Sequence, residues 1–164
     1  MVTPDATAIA REIIDEESCG LVRYVVEYSR PPIVGGRDAD ALSLFHDLYR
    51  ESEIGLTALI ELVDAAGRNV LREPHWPLEY TSFHFLRPIY LLRPVAEQAE
   101  RALGRIDELA RQLEAIGWPE AVACVRSFVA AERPHLASVR RLAGELGEIR
   151  ADAPRRKGTS ASRW

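Results

Sequence analysis

Hydrophobic residues recur every three or four positions along four long segments of this chain, and no segment alternates as a half-buried strand does. This period places the apolar side chains on one face of a helix. The segments cover approximately residues 5–29, 40–67, 81–116 and 119–150. The pattern therefore predicts an all-α fold built from four long helices.

Local signals mark where these helices begin and end. Thr3 is a suitable N-cap and Pro4 suits a first helical turn, whereas Pro31 ends the first segment. Gly117 ends the third segment and Pro119 opens the fourth. Because the helices are long and their connections short, we expect an antiparallel up-down-up-down four-helix bundle.

Three prolines fall inside the predicted helices, namely Pro88, Pro94 and Pro134. Each removes a backbone donor and clashes with the preceding turn, so we expect bends in the third and fourth helices. Packing either tolerates these bends or uses them to re-aim a side chain. For Pro134 the second alternative concerns Glu132 and His135, which flank it in the sequence Glu-Arg-Pro-His.

The domain organisation is simple. Residues 1–152 are expected to form the bundle, and residues 153–164 a disordered basic tail, because "APRRKGTSASRW" has no apolar periodicity. The basic residues of that tail either remain solvated or contact an acidic partner or nucleic acid.

Composition narrows the classes of function. The chain is 47% hydrophobic and 28% charged, with a net charge of −4, so the body of the fold is not expected to bind nucleic acid. No apolar run reaches the length of a membrane span. Cys19 and Cys124 form no CxxC motif and are expected to be buried thiols. A cytoplasmic protein is the expectation.

Four glutamates interrupt the apolar stripes. Glu17, Glu53 and Glu132 have apolar neighbours one helical turn away, and Glu100 is at the edge of its stripe. His135 shares the face of Glu132. When the chain is folded at its three predicted turns, the depths of these residues agree within about one helical turn. We therefore expect them to approach a common layer of the bundle.

Such a layer needs a compensating positive charge. Buried carboxylates are costly, and clustered ones raise one another's pKa unless a cation is present. Several carboxylates with one imidazole suit iron or manganese. In the alternative, no metal binds, and Glu17 or Glu53 pairs with Arg23, Arg50 or Tyr49 and only fixes helix register.

The Glu132-x-x-His135 pair resembles the metal-binding pair on the fourth helix of the ferritin-like superfamily, which includes the rubrerythrins. In that superfamily two helices each supply a Glu, the other two each supply Glu-x-x-His, and two metal ions are held between them. The resemblance implies Glu17, Glu53 and Glu100 as the remaining ligands. Leu56 stands where the second-helix histidine would be, so the implied ligand set is incomplete.

Two functions follow as hypotheses. The first is a non-catalytic bundle of ferritin-like descent that acts through protein–protein contacts, including self-association as a homodimer, with the aromatic segment 75–85 as a plug or partner surface. The alternative is an iron- or manganese-binding oxidoreductase. The first needs no cofactor, and whether the chain is an enzyme stays open.

Overall fold

The computed structural model describes residues 2–68 and 75–151. Every regular element in these ranges is helical, which confirms the all-α fold. The α-helices are α1 Pro4–Ser18, α2 Leu21–Tyr24, α3 Gly36–Ala65, α4 Pro88–Ile116 and α5 Pro119–Ala151. A π-helical turn, Val25–Ser29, continues α2, and a 3-10 helix, Leu78–Phe83, precedes α4.

The ends predicted at Thr3, Gly117 and Pro119 are confirmed, whereas α3 begins at Gly36 instead of near residue 40 and α4 begins at Pro88 instead of near residue 81. The Thr3 hydroxyl accepts a hydrogen bond from the Ala6 N–H at 3.2 Å and caps α1. Gly117 has φ +89°, a left-handed conformation that ends α4, and Pro119 is the first residue of α5. Pro88 is also a first residue, so it bends nothing, and the bend predicted there is wrong because that position has no helical hydrogen bond to lose.

The first predicted helix is divided in two. It stops at Ser18, and Gly20 is extended with ψ 146° before α2 begins at Leu21. The Leu21 N–H donates to the side-chain oxygen of Gln98 at 3.0 Å, so α4 caps the restarted helix. The segment ends at Arg30, whose φ of 42° is left-handed. In contrast, α4 and α5 continue without interruption through Pro94 and Pro134.

Cross-helix contacts give the direction of each helix. α1 and α5 each pack against α3 and α4, and are themselves diagonal neighbours. Between α4 and α5, Glu100 pairs with Arg140 at 2.7 Å and Glu114 with Arg126 at 2.6 Å, so these helices are antiparallel. The pairs Arg37–Glu145 and Gly55–Phe128 show the same antiparallel direction between α3 and α5. Glu12–Arg105 shows it between α1 and α4, and Leu21–Gln98 continues it between α2 and α4.

The predicted up-down-up-down order is wrong. Arg87, immediately before α4, pairs with Asp38 in the first turn of α3 at 2.8 Å, so α3 and α4 start at the same end of the molecule and run parallel. The order is up-down-down-up. Antiparallel neighbours follow from short connections, but the connection of residues 66–87 is long enough to return along the bundle. The predicted tail, residues 153–164, lies outside the described residues.

Candidate functional site

A buried arginine lies at the centre of the polar layer inside the bundle. Only 1% of Arg23 is exposed. Its Nη2 donates to Glu53 Oε1 at 2.5 Å, its Nη1 donates to Glu27 Oε1 at 2.9 Å, and its guanidinium lies 5.0 Å from the centre of the Tyr49 ring. The pairing of Glu53 with Arg23, one of the alternatives from the sequence, is therefore confirmed.

Ser52 links this arginine to Glu17. The Ser52 hydroxyl donates to Glu17 Oε1 and itself accepts from Arg23 Nη2 at 3.5 Å. Burial raises the pKa of Glu17, and the Ser52 hydrogen bond and the charge of Arg23 offset only part of that increase. Glu17 is thus buried, as predicted, and is held by a hydroxyl group.

Glu132 is the least compensated acid in the layer. It is 3% exposed, and its Oε1 has no hydrogen-bond partner among the described residues. Burial raises its pKa to about 9, the charges of Glu17 and Glu51 add to the increase, and Arg23 opposes it. At neutral pH this side chain is therefore a protonated carboxylic acid, because the neutral form avoids the cost of burying a charge.

His135 lies at the edge of this layer. Its ring is about one-third exposed, and Nε2 is 3.9 Å from Glu51 Oε1. That separation is too long for a hydrogen bond, so the contact is electrostatic and depends on protonation of the ring. Glu51 therefore lies close to both His135 and Glu132, and its charge raises the pKa of Glu132.

The structure brings four of the five predicted site residues toward one layer and excludes Glu100. Glu17, Glu53 and Glu132 surround Arg23 and Ser52, with His135 beside them. Glu100 is exposed and accepts from Arg140 Nη1 at 2.7 Å, because Ala99 and Leu103 occupy the buried positions of α4. Its predicted place in the layer is wrong.

The arrangement does not form the di-metal ligand set that the resemblance implies. Across residues 2–68 and 75–151, no three His, Cys, Asp or Glu side chains are placed to hold one metal ion. Glu53 instead binds Arg23, and Glu17 binds Ser52. The guanidinium supplies the positive charge that a metal would bring, and metal binding itself stays a prediction.

The sequence reasoning missed Ser52 and Glu51, which join the predicted acids. Both belong to the run Arg50-Glu51-Ser52-Glu53, which ends in one of the predicted acids. A serine on the buried side of a helix otherwise rich in long polar residues was the available signal, because a buried hydroxyl needs a hydrogen-bond partner.

An aromatic cluster closes the end of the bundle where α3 and α4 begin. The Tyr24 ring has its centre 5.6 Å from that of Trp76, 5.5 Å from that of Tyr80 and 5.3 Å from that of His84. Its hydroxyl is hydrogen-bonded to His84 Nε2 at 2.5 Å. Residues 76–84, which precede α4, are thus fixed onto α2 by ring packing.

Large apolar side chains project from the same end. Phe85 is 88% exposed and Leu78 is 83% exposed. We call the set the apical surface. Six of the eight exposed large hydrophobic residues in the described part of the chain belong to it, namely Tyr28, Ile33, Val34, Leu78, Phe85 and Tyr90.

Comparison with known proteins gave no family assignment. No family model, no curated protein and no solved structure matches the chain. None of the helices in the described ranges combines the length and the apolar character needed to cross a membrane.

Proposed function

We propose that this chain is a non-catalytic helical-bundle protein of ferritin-like descent, and that it acts through protein–protein contacts made by its apical surface. The observation that carries the proposal is the concentration of exposed large apolar side chains at one end, with Phe85 the most exposed. An exposed apolar patch of this kind is typical of interaction sites.

A second copy of the chain is the partner that fits best. Two arginines near the surface are already paired within the chain, Arg87 with Asp38 at 2.8 Å and Arg37 with Glu145 at 3.6 Å. The exposed apolar side chains, rather than these two arginines, are therefore what the surface offers to a partner. Two identical patches related by a two-fold axis satisfy each other, and such dimers are the commonest oligomers.

The layout of the helices supports ferritin-like descent. Ferritin-like bundles have one long crossover connection, and here the connection of residues 66–87 joins two parallel helices. The internal layer containing Glu17, Glu53 and Glu132 is a second point of similarity. The involvement of Glu53 with Arg23 supports the non-catalytic character, because that carboxylate already has a cationic partner.

Sedimentation equilibrium tests the proposal. The wild-type protein should dimerise reversibly, and Phe85→Ser should weaken the dimer about tenfold or more, as expected when a large apolar anchor is lost from an interface. Ile116→Ser is the matched control, since Ile116 is exposed at the opposite end of α4. A wild-type protein that stays monomeric at hundreds of micromolar, or equal losses in both variants, would contradict the proposal.

The alternative is a metal-binding oxidoreductase, and one observation supports it. Glu132 keeps a buried carboxyl oxygen without a partner in the described residues, and Glu17 is close enough to raise its pKa. Elemental analysis of protein purified without chelators, together with oxygen consumption on addition of Fe²⁺, tests it. Bound iron or manganese that disappears in Glu132→Ala but persists in the exposed control Glu120→Ala would establish this alternative.

A further inference from the structure

An open groove of about 600 Å³ runs between α3 and α5, away from the apical surface. The two helices approach closely where Gly55 faces Phe128, and Ala58 and Ala131 are the small residues that leave room in the groove. Its volume is in the range of small-molecule sites, which are mostly apolar, carry few polar groups and often lie between helices of bundles.

The charge in the groove has one sign. Glu51 and Glu61 line it, and no Lys or Arg is among its lining residues. The only other polar groups are the Ser127 hydroxyl and the Cys124 thiol. Burial raises the pKa of Cys124, and its Sγ lies 3.9 Å from the Gly55 carbonyl oxygen, so the thiol is protonated and does not act as a reactive centre. The lining therefore favours a cation over an anion.

The two acids differ in their surroundings. Glu51 has 27% of its side chain exposed and lies beside His135, at the edge of the buried layer. Glu61 is exposed, about 15 Å further along α3 at the rise of a helix. Water and salt screen an exposed charge more than a half-buried one, so a bound cation gains more at Glu51.

We propose that the α3–α5 groove binds a small amphipathic cation, with its ammonium group at Glu51 and its apolar body over Gly55, Ala58 and Phe128. The acid fixes the orientation of the ligand and selects its charge, and the small residues give the body its depth. None of the residues that line the groove belongs to the apical surface, so this proposal does not depend on the proposed function.

Calorimetric titration with three probes of one shape class tests the charge preference. The probes are phenylbutyl-trimethylammonium, phenylbutanol and phenylbutanoate. We expect the affinity to be highest for the cation, lower for the alcohol and lowest for the anion. In Glu51→Gln the preference for the cation over the alcohol should fall about threefold, which is the size typical of one partly exposed ion pair. Glu61→Gln is the matched control in the same groove and should keep the wild-type preference.

A second pair of variants tests the location. Ala58→Leu fills the groove and should weaken binding of the cationic probe about tenfold, whereas Ala65→Leu, at an exposed position of α3 outside the groove, should leave it unchanged. Urea unfolding of each variant verifies that it is folded. Absence of binding at millimolar probe, equal affinities for the three probes, or equal effects of the two Gln variants would overturn the proposal.

Discussion

Replacing Glu132 with glutamine should stabilise the protein, although it alters one of the most deeply buried acids. The pKa of Glu132 rises from an ordinary value of 4.5 to about 9 in the folded chain. Between these values the folded state binds one more proton than the unfolded state, so the free energy of unfolding falls as pH rises. Glutamine has nearly the same shape and never ionises in the unfolded chain.

The gain follows from that linkage. Each pH unit above the unfolded pKa costs about 1.4 kcal/mol, so the wild type is penalised by about 3 kcal/mol at pH 7 and by about 1.4 kcal/mol more at pH 8. Below pH 4.5 both states hold the proton and the penalty vanishes. Glu132→Gln should therefore exceed the wild type in stability by an amount that grows with pH across this window.

Urea unfolding of both proteins at pH 5, 6, 7 and 8 measures the difference. Glu100→Gln is the control, because Glu100 is exposed beside Arg140 and a surface ion pair of this kind contributes little to stability. If Glu132→Gln is no more stable than the wild type at pH 7, or if the difference does not grow with pH, Glu132 is not a buried neutral acid and the described layer is incorrect.

Three further predictions concern the packing, and the first has a matched control. Gly55→Ala should destabilise the protein by about 1–3 kcal/mol, because a Cβ there would lie 2.2 Å from the Phe128 Cβ. Gly104→Ala is its control, because a Cβ there meets nothing within 4 Å and should stabilise the protein by about 0.5–1 kcal/mol. Similar unfolding midpoints in urea for the two variants would argue against this helix contact. Arg23→Met should lower the free energy of unfolding by about 1–3 kcal/mol, because it leaves the carboxylates of Glu27 and Glu53 without their cation. The same urea assay measures this loss, and an unchanged free energy of unfolding would contradict the prediction. Pro134→Ala should stabilise α5 by up to about 3 kcal/mol because the proline is exposed and only blocks a helical hydrogen bond; a lower melting temperature in calorimetry would mean that the packing depends on it.

The helix ends at Thr3 and Gly117 could be predicted from the sequence because their causes are local. Thr3 needs only the N–H three residues ahead, and the left-handed conformation of Gly117 depends on its own missing side chain. The order of the helices could not be predicted, since it depends on the route of residues 66–87, and apolar periodicity carries no information about a route. The pairing of Arg87 with Asp38, which reveals it, joins residues far apart in the sequence.

The candidate layer shows the same division. Apolar neighbours in the sequence correctly indicated that Glu17 and Glu132 are buried. Glu100 was misplaced because it lies at the border of its stripe, where a small rotation of the helix decides between inside and outside, and Arg140 on another helix stabilises it outside. The break at Gly20 interrupts the periodicity that the sequence suggested and is followed by α2, which carries Arg23 inside the bundle.

The parallel direction of α3 and α4 has a consequence for how the chain reaches its fold. Each half of the molecule, α1 through α3 and α4 through α5, is an antiparallel helical hairpin with a short connection, although α3 also packs extensively on α5 of the other half. Hairpins of low contact order form quickly, and only their docking requires the long connection to be closed. The two halves are therefore natural candidates for fragment complementation, in which separately produced hairpins reassemble around the layer that Arg23, Glu53 and Glu132 share.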